Sequence, residues 1–138
     1  LSTAFAAYLS LTGIPRTLAA GMLSITSNKY ILLLLINLFL LVVGCLVDNI
    51  PATIILAPIL LPVVESLGMS PVTFGIMLTM NLAIGFCTPP YGINLFVASA
   101  VSGVSMGKMM KYMLWFLLAL LIVLMLTTYW APFTLFLL

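Results

Sequence analysis

Long apolar runs, separated by short groups of glycine, proline and polar residues, make up most of the chain. A transmembrane helix needs about 20 apolar residues to cross about 30 Å of hydrocarbon. Residues 109–131 meet this requirement with Lys111 as their only charge, and Tyr129 and Trp130 near their end suit the membrane interface. This pattern predicts an all-α integral membrane protein with its final transmembrane helix at residues 109–131.

The first 29 residues predict two shorter elements. Residues 1–12 are mostly apolar and predict the end of a transmembrane helix whose beginning lies upstream of this chain. Gly13 and Pro15 then interrupt the apolar pattern, and residues 13–29 are weakly amphipathic. A weakly amphipathic segment suits the membrane surface, so we predict an interfacial arm helix that links two membrane elements.

Residues 30–66 consist of two apolar limbs around a break at residues 44–51, which begins with a glycine and ends with a proline. Asp48 and Asn49 lie in this break, with a proline just after them, which is typical of the start of a helix. In one topology, residues 30–47 form a full span and Asp48 lies at its far edge. In the other, residues 44–51 are the tip of a re-entrant hairpin whose limbs of about 14 residues reach about 21 Å. The pattern is compatible with both topologies.

Residues 72–103 form an apolar segment that is too long for one straight crossing. Its 32 residues would span about 48 Å as a continuous helix. Pro89 and Pro90 interrupt it near the centre, and neither can donate a backbone N–H. We therefore predict a discontinuous transmembrane helix that is unwound at residues 85–92. Irregular backbone at this depth needs protein, water or a cation to satisfy its carbonyls.

The composition limits the chemistry that this chain can perform. Of its 138 residues, 65% are apolar, four are Lys or Arg, two are Asp or Glu and none is His. Lipid must therefore cover most of the surface, since a soluble domain is about one quarter charged. We expect no enzyme, because histidine is absent and the two carboxylates are far apart in sequence. We also expect no nucleic-acid partner, because the four cations form no cluster.

The two breaks are candidates for a sodium site that needs no charged ligand. Sodium is a hard cation that prefers oxygen ligands, and unwound helices expose carbonyl oxygens. The candidate ligands are Gly44 in the first break and Gly85, Thr88 and Tyr91 in the second. The alternative is a structural or assembly membrane protein whose kinked helices serve only helix association. The acidic residue Asp48 in a membrane segment favours the ion site.

The order of several residues resembles the end of the large membrane subunit of tripartite ATP-independent periplasmic (TRAP) transporters. The resemblance extends over most of the chain and has many separate parts. Its residues are Gly44, Asp48, Pro51, Pro58, Pro62, residues 68–75, Asn81, Gly85 and residues 88–92.

The resemblance implies an elevator-type secondary transporter with inverted repeats, of which this chain contains the second. It implies sodium-driven import of a small organic acid, a C4-dicarboxylate or a sialic acid, through the bacterial inner membrane. The implied partners are a periplasmic substrate-binding protein, a small membrane subunit and the rest of the large subunit.

The resemblance also implies roles for segments and residues. Residues 30–66 would form the re-entrant hairpin, with its tip near residues 44–51. A sodium ion would lie between this tip and the unwound residues 85–92. Its ligands would be the backbone carbonyls of Gly44, Gly85 and Tyr91. Thr88 would add its hydroxyl, alone or with its own carbonyl.

Four further residues would lie at the tip or face the substrate. These are Asp48, Asn49, Pro89 and Pro90. We expect the first two to order the tip and the start of its second helix rather than to bind the ion.

Overall fold

A computed structural model describes residues 20, 21, 24, 28–89 and 92–136 of the chain. The predicted helix end at residues 1–12 and most of the predicted arm at residues 13–29 lie outside the described residues. In the described part the regular structure is helical and no strand occurs, which confirms the predicted all-α class.

Six helices follow one another in the described residues. They are α1 (Lys29–Leu46), α2 (Asn49–Ser66), α3 (Pro71–Phe86), α4 (Ile93–Ser102), α5 (Met106–Tyr129) and α6 (Ala131–Leu135). By length and composition, α1, α2 and α5 are each able to cross a membrane, and α3 is a shorter apolar helix. This is the architecture of an integral membrane protein.

Local sequence explains where several helices begin and end. The Asn28 side chain accepts a hydrogen bond from the Tyr30 N–H at 3.1 Å, and Ser70 accepts one from the Val72 N–H at 3.3 Å. Such caps satisfy backbone donors that have no partner within the helix. Helix α4 lies between two glycines with left-handed backbone, Gly92 and Gly103.

Helix α3 is central, because it packs against α1, α2 and α5. The core between these helices is almost wholly aliphatic. Its fully enclosed members include Ile36, Leu40, Val63, Met77, Leu82 and Leu124. Polar side chains inside this core are therefore few, and each of them needs a hydrogen-bond partner there.

The helices α1 and α2 form a helical hairpin. Only Val47 and Asp48 separate them, within the predicted break at residues 44–51. At the other end of the hairpin, a Cβ atom placed on Gly68 would lie 3.7 Å from the Lys29 side-chain nitrogen. The chain therefore returns, after α2, to the side of the molecule from which α1 began.

The helices α3 and α4 are two parts of the segment in which we expect a discontinuous helix. Helix α3 ends at Phe86 and α4 begins at Ile93. Their 16 and 10 residues correspond to about 24 Å and 15 Å of helix. After the turn at residues 103–105, α5 runs back along α4, and its end reaches the start of α1, where the Tyr129 hydroxyl donates to the Tyr30 carbonyl at 2.9 Å.

Candidate ion site at two helix breaks

The backbones of α1 and α3 touch at Gly44 and Gly85, close to where each helix ends. A Cβ atom on Gly85 would lie 2.5 Å from the Gly44 carbonyl carbon and 2.8 Å from the Cys45 nitrogen. A Cβ atom on Gly44 would lie 2.9 Å from the Leu82 Cα atom. Both glycines are buried, and neither position has room for a side chain. The structure thus brings together two of the predicted sodium ligands, one from each break.

The last turn of α1 presents carbonyl oxygens that lack helical donors. The Val47 N–H donates to the Val43 carbonyl at 2.8 Å. None of the described residues donates a backbone or side-chain hydrogen bond to the carbonyls of Gly44, Cys45 or Leu46. The last carbonyls of a helix also carry its partial negative charge. This end of α1 can therefore serve as an acceptor for a cation.

The last carbonyls of α3 have more hydrogen-bond donors than the two prolines alone would suggest. Pro89 has no N–H and therefore cannot donate the usual helical hydrogen bond to the Gly85 carbonyl. The Thr88 N–H takes this place at 2.9 Å, and the Cys87 N–H donates to the Ile84 carbonyl at 3.1 Å. A carbonyl oxygen has two lone pairs, so the Gly85 carbonyl can still accept a second partner.

Thr88 contributes two oxygens to the second break. Its hydroxyl donates to the Ile84 carbonyl at 2.7 Å, and its own carbonyl accepts from the Gly92 N–H at 3.2 Å. Since the hydroxyl hydrogen points at Ile84, the lone pairs of that oxygen remain available. Thr88 is half-buried and lines one groove together with Cys45 and residues of α5.

The remaining predicted site residues are less enclosed. Asp48 is exposed, and its side chain forms no capping bond to α2, although its carbonyl accepts from the Ala52 N–H at 3.1 Å. The Asn49 side-chain oxygen accepts from the Thr53 hydroxyl at 3.2 Å. Pro89 is exposed. Tyr91 and Pro90 lie outside the described residues.

A cation at these breaks would depend on backbone and hydroxyl oxygens. In the part of the chain that the structure describes, no group of three or more Cys, His, Asp or Glu residues could hold a metal ion. Carbonyl and hydroxyl oxygens without a formal charge suit a hard monovalent cation better than a transition metal. The ends of α1 and α3 offer this kind of donor set.

Sequence reasoning overlooked a buried polar pair beside the glycine contact. Asn37 of α1 and Asn81 of α3 are 1% and 0% exposed, and the Asn81 amide donates to the Asn37 side-chain oxygen at 2.6 Å. The sequence analysis named Asn81 only among the residues of the family resemblance, and it did not name Asn37. The spacing places each asparagine only on the helix face of its own glycine, because Asn37 precedes Gly44 by two helical turns and Asn81 precedes Gly85 by about one.

Comparison with known families gives a match over nearly the whole chain. Residues 2–133 match the model of the tripartite ATP-independent periplasmic transporter family, DctM component. This match confirms the resemblance seen in the sequence.

Individual relatives agree with the family match. The chain is 43% identical over 129 residues to an isethionate TRAP transporter permease protein of Oleidesulfovibrio alaskensis, covering 94% of this chain and 20% of the relative. It is 40% identical to the sialic acid TRAP transporter large permease protein of Vibrio cholerae, covering 90% and 29%. It is 37% identical to a C4-dicarboxylate TRAP transporter large permease protein of Pseudomonas aeruginosa, covering 91% and 29%. The chain spans less than a third of the length of these relatives.

Proposed function

Since the chain belongs to the DctM component family of tripartite ATP-independent periplasmic transporters, we propose that it forms part of a sodium-coupled importer of a small organic acid. The relatives are transporter permeases, which favours transport over a purely structural or assembly role and agrees with the expectation that the chain is no enzyme. The chain is a segment of an inner-membrane protein.

The close approach of Gly44 and Gly85 carries the sodium proposal. Two broken segments, distant in sequence, meet backbone to backbone in an apolar core. The end of α1 offers carbonyls without described donors, and Thr88 offers a hydroxyl oxygen from the other break. We assign the sodium ligands to the carbonyls of Gly44, Gly85 and Tyr91 and to the hydroxyl of Thr88.

The arrangement of helices supports a transporter topology with two kinds of interrupted segment. We propose that α1 and α2 are a re-entrant hairpin whose tip contains Asp48 and Asn49. We propose that α3 and α4 together make one crossing that is unwound between them. In an elevator mechanism this unit would move as one body, carrying the ion and the substrate past the rest of the protein.

The relatives guide the proposal on substrate and partners. Their names specify isethionate, sialic acid and C4-dicarboxylates, which are all small organic acids. We propose that this transporter takes an organic anion of this size from a periplasmic substrate-binding protein. A small membrane subunit and the remainder of the large subunit would complete it, and Asp48, Asn49, Pro89 and Pro90 would lie near the substrate.

Uptake into proteoliposomes tests the proposed coupling. The complete transporter is reconstituted with its binding protein, and uptake of radiolabelled organic acids is compared under an inward sodium gradient and an equal potassium gradient. The proposal predicts accumulation only with sodium. Equal uptake under both gradients would contradict sodium coupling, and no uptake of any organic acid would contradict the substrate class.

A further inference from the structure

A continuous line of hydrogen bonds crosses the apolar core from α3 through α1 to α5. The Asn81 amide donates to the Asn37 side-chain oxygen at 2.6 Å, and the Asn37 amide donates to the Thr128 hydroxyl at 3.1 Å. The Thr128 hydroxyl in turn donates to the Leu124 carbonyl at 2.8 Å. All three side chains are at least 95% buried, so these bonds form without competition from water or lipid headgroups.

The direction of this line is fixed by the backbone. The Asn81 amide also donates to the Met77 carbonyl at 2.8 Å, and the Asn37 amide also donates to the Leu33 carbonyl at 3.1 Å. If either amide were rotated by 180°, an oxygen would face a carbonyl oxygen, which cannot donate. Each asparagine is therefore held to its own helix by one hydrogen and to a neighbouring helix by the other.

This double attachment restricts both sliding and rotation of α1 against α3. Aliphatic contacts tolerate small shifts, whereas a hydrogen bond of this kind requires one alignment of donor and acceptor. A single polar pair in an apolar helix interface is a known means of fixing register. The Asn37–Asn81 hydrogen bond can therefore fix the register of the two helices.

The Asn37–Asn81 hydrogen bond lies in the same interface of α1 and α3 as the contact between Gly44 and Gly85. Asn37 is seven residues before Gly44, and Asn81 is four residues before Gly85, so each asparagine shares a helix face with its glycine. A shift of one helix by a single residue would break the asparagine bond. It would also move the end of α1 by about 1.5 Å relative to the end of α3.

We propose that Asn37 and Asn81 are positioning residues for the ion site. Their hydrogen bond sets the register in which the carbonyl oxygens at the end of α1 face the second break. The side-chain oxygen of Asn81 has no donor among the described residues, so the pair is not simply the most stable way to fill the core. The inference rests on the proposed sodium-coupled function.

Replacement of one or both asparagines by leucine, which has a similar volume, separates positioning from folding. The complete transporter is prepared as Asn37→Leu, Asn81→Leu and the double variant, with Thr79→Ala as the control. Thr79 is on the exposed side of α3, and its hydroxyl bonds only to the Gly75 carbonyl. Melting temperature in detergent is measured for each, together with uptake at a series of sodium concentrations.

Each single variant leaves a buried amide without its partner, so we expect its melting temperature to fall. The double variant removes both polar groups, so we expect its melting temperature to recover toward that of the wild type. The sodium concentration that gives half-maximal uptake should nevertheless be about tenfold higher in the double variant than in the wild type. This corresponds to about 1.4 kcal/mol of lost ion binding. Thr79→Ala should match the wild type in both measurements.

Two results would overturn the inference in different ways. A double variant with the sodium response of the wild type would show that the pair serves folding alone, while the proposed function would stand. A wild-type transporter whose uptake does not respond to sodium would overturn the proposed function, and the positioning role with it.

Discussion

Gly85 faces Gly44 so closely that a Cβ atom on Gly85 would lie 2.5 Å from the Gly44 carbonyl carbon. No real Cβ atom approaches a backbone atom to this distance, so a side chain at either position must push α1 and α3 apart. The contact joins the ends of two helices that are broken by glycine, proline and polar residues. It joins two of the residues to which we assign the proposed ion site.

Replacement of Gly85 by alanine should therefore abolish transport. The added methyl group meets backbone atoms, which cannot rotate away, and overpacking of this kind costs about 1–3 kcal/mol. We expect loss of sodium-driven uptake together with a lower melting temperature. Gly75→Ala on the same helix is the matched control, because a Cβ atom at Gly75 would have no other atom within 4 Å. Equal activity of the two variants would contradict the backbone contact.

The hydroxyl of Tyr129 should contribute modestly to the attachment of α5. It donates to the Tyr30 carbonyl at 2.9 Å, and the two rings are 5.9 Å apart. Both residues are exposed, so Tyr129→Phe should lower the unfolding free energy by about 0.5–1.5 kcal/mol while the ring contact is retained. Thermal unfolding in detergent measures this, with Tyr112→Phe on the exposed start of α5 as the control. A similar loss of unfolding free energy in Tyr112→Phe would show that the hydrogen bond from Tyr129 to Tyr30 does not contribute.

Cysteine labelling tests the proposed path of the chain through the membrane. Lys29 lies at the start of α1, Ser70 just before α3 and Ser105 just before α5. If α1 and α2 form a hairpin, Lys29→Cys and Ser70→Cys should react with an impermeant thiol reagent from one side. If α3 and α4 then make one crossing, Ser105→Cys should react from the other side. Reaction of all three from one side would mean that α3 and α4 do not cross.

Much of the helical organisation could be predicted from the sequence, because proline and glycine act locally. The separation of α3 from α4 follows from two adjacent prolines, which remove two consecutive helical hydrogen bonds. Pro58 and Pro62 had the same potential, yet α2 remains continuous across both. What a proline does at a given position depends on neighbouring helices, which a single sequence does not specify.

The family resemblance implied that the two breaks face each other, but the side-chain contacts between the helices could not be predicted, for the same reason. Asn37 and Asn81 are 44 positions apart, and nothing in either segment indicates that their faces meet. The donor that Thr88 supplies to the Gly85 carbonyl was also missed, because it depends on how tightly α3 closes its last turn. Local chemistry identified the residue types at the site, whereas the contacts between them required the fold.

The hydroxyl of Thr88 provides the most direct test of the sodium site. In the complete transporter, Thr88→Ala removes one proposed ligand and should raise the half-maximal sodium concentration for uptake by about tenfold. Thr88→Ser keeps the hydroxyl and should stay close to the wild type. A raised value in the alanine variant alone is the predicted result. An unchanged half-maximal sodium concentration in Thr88→Ala, with uptake intact, would contradict the assignment of sodium to these breaks.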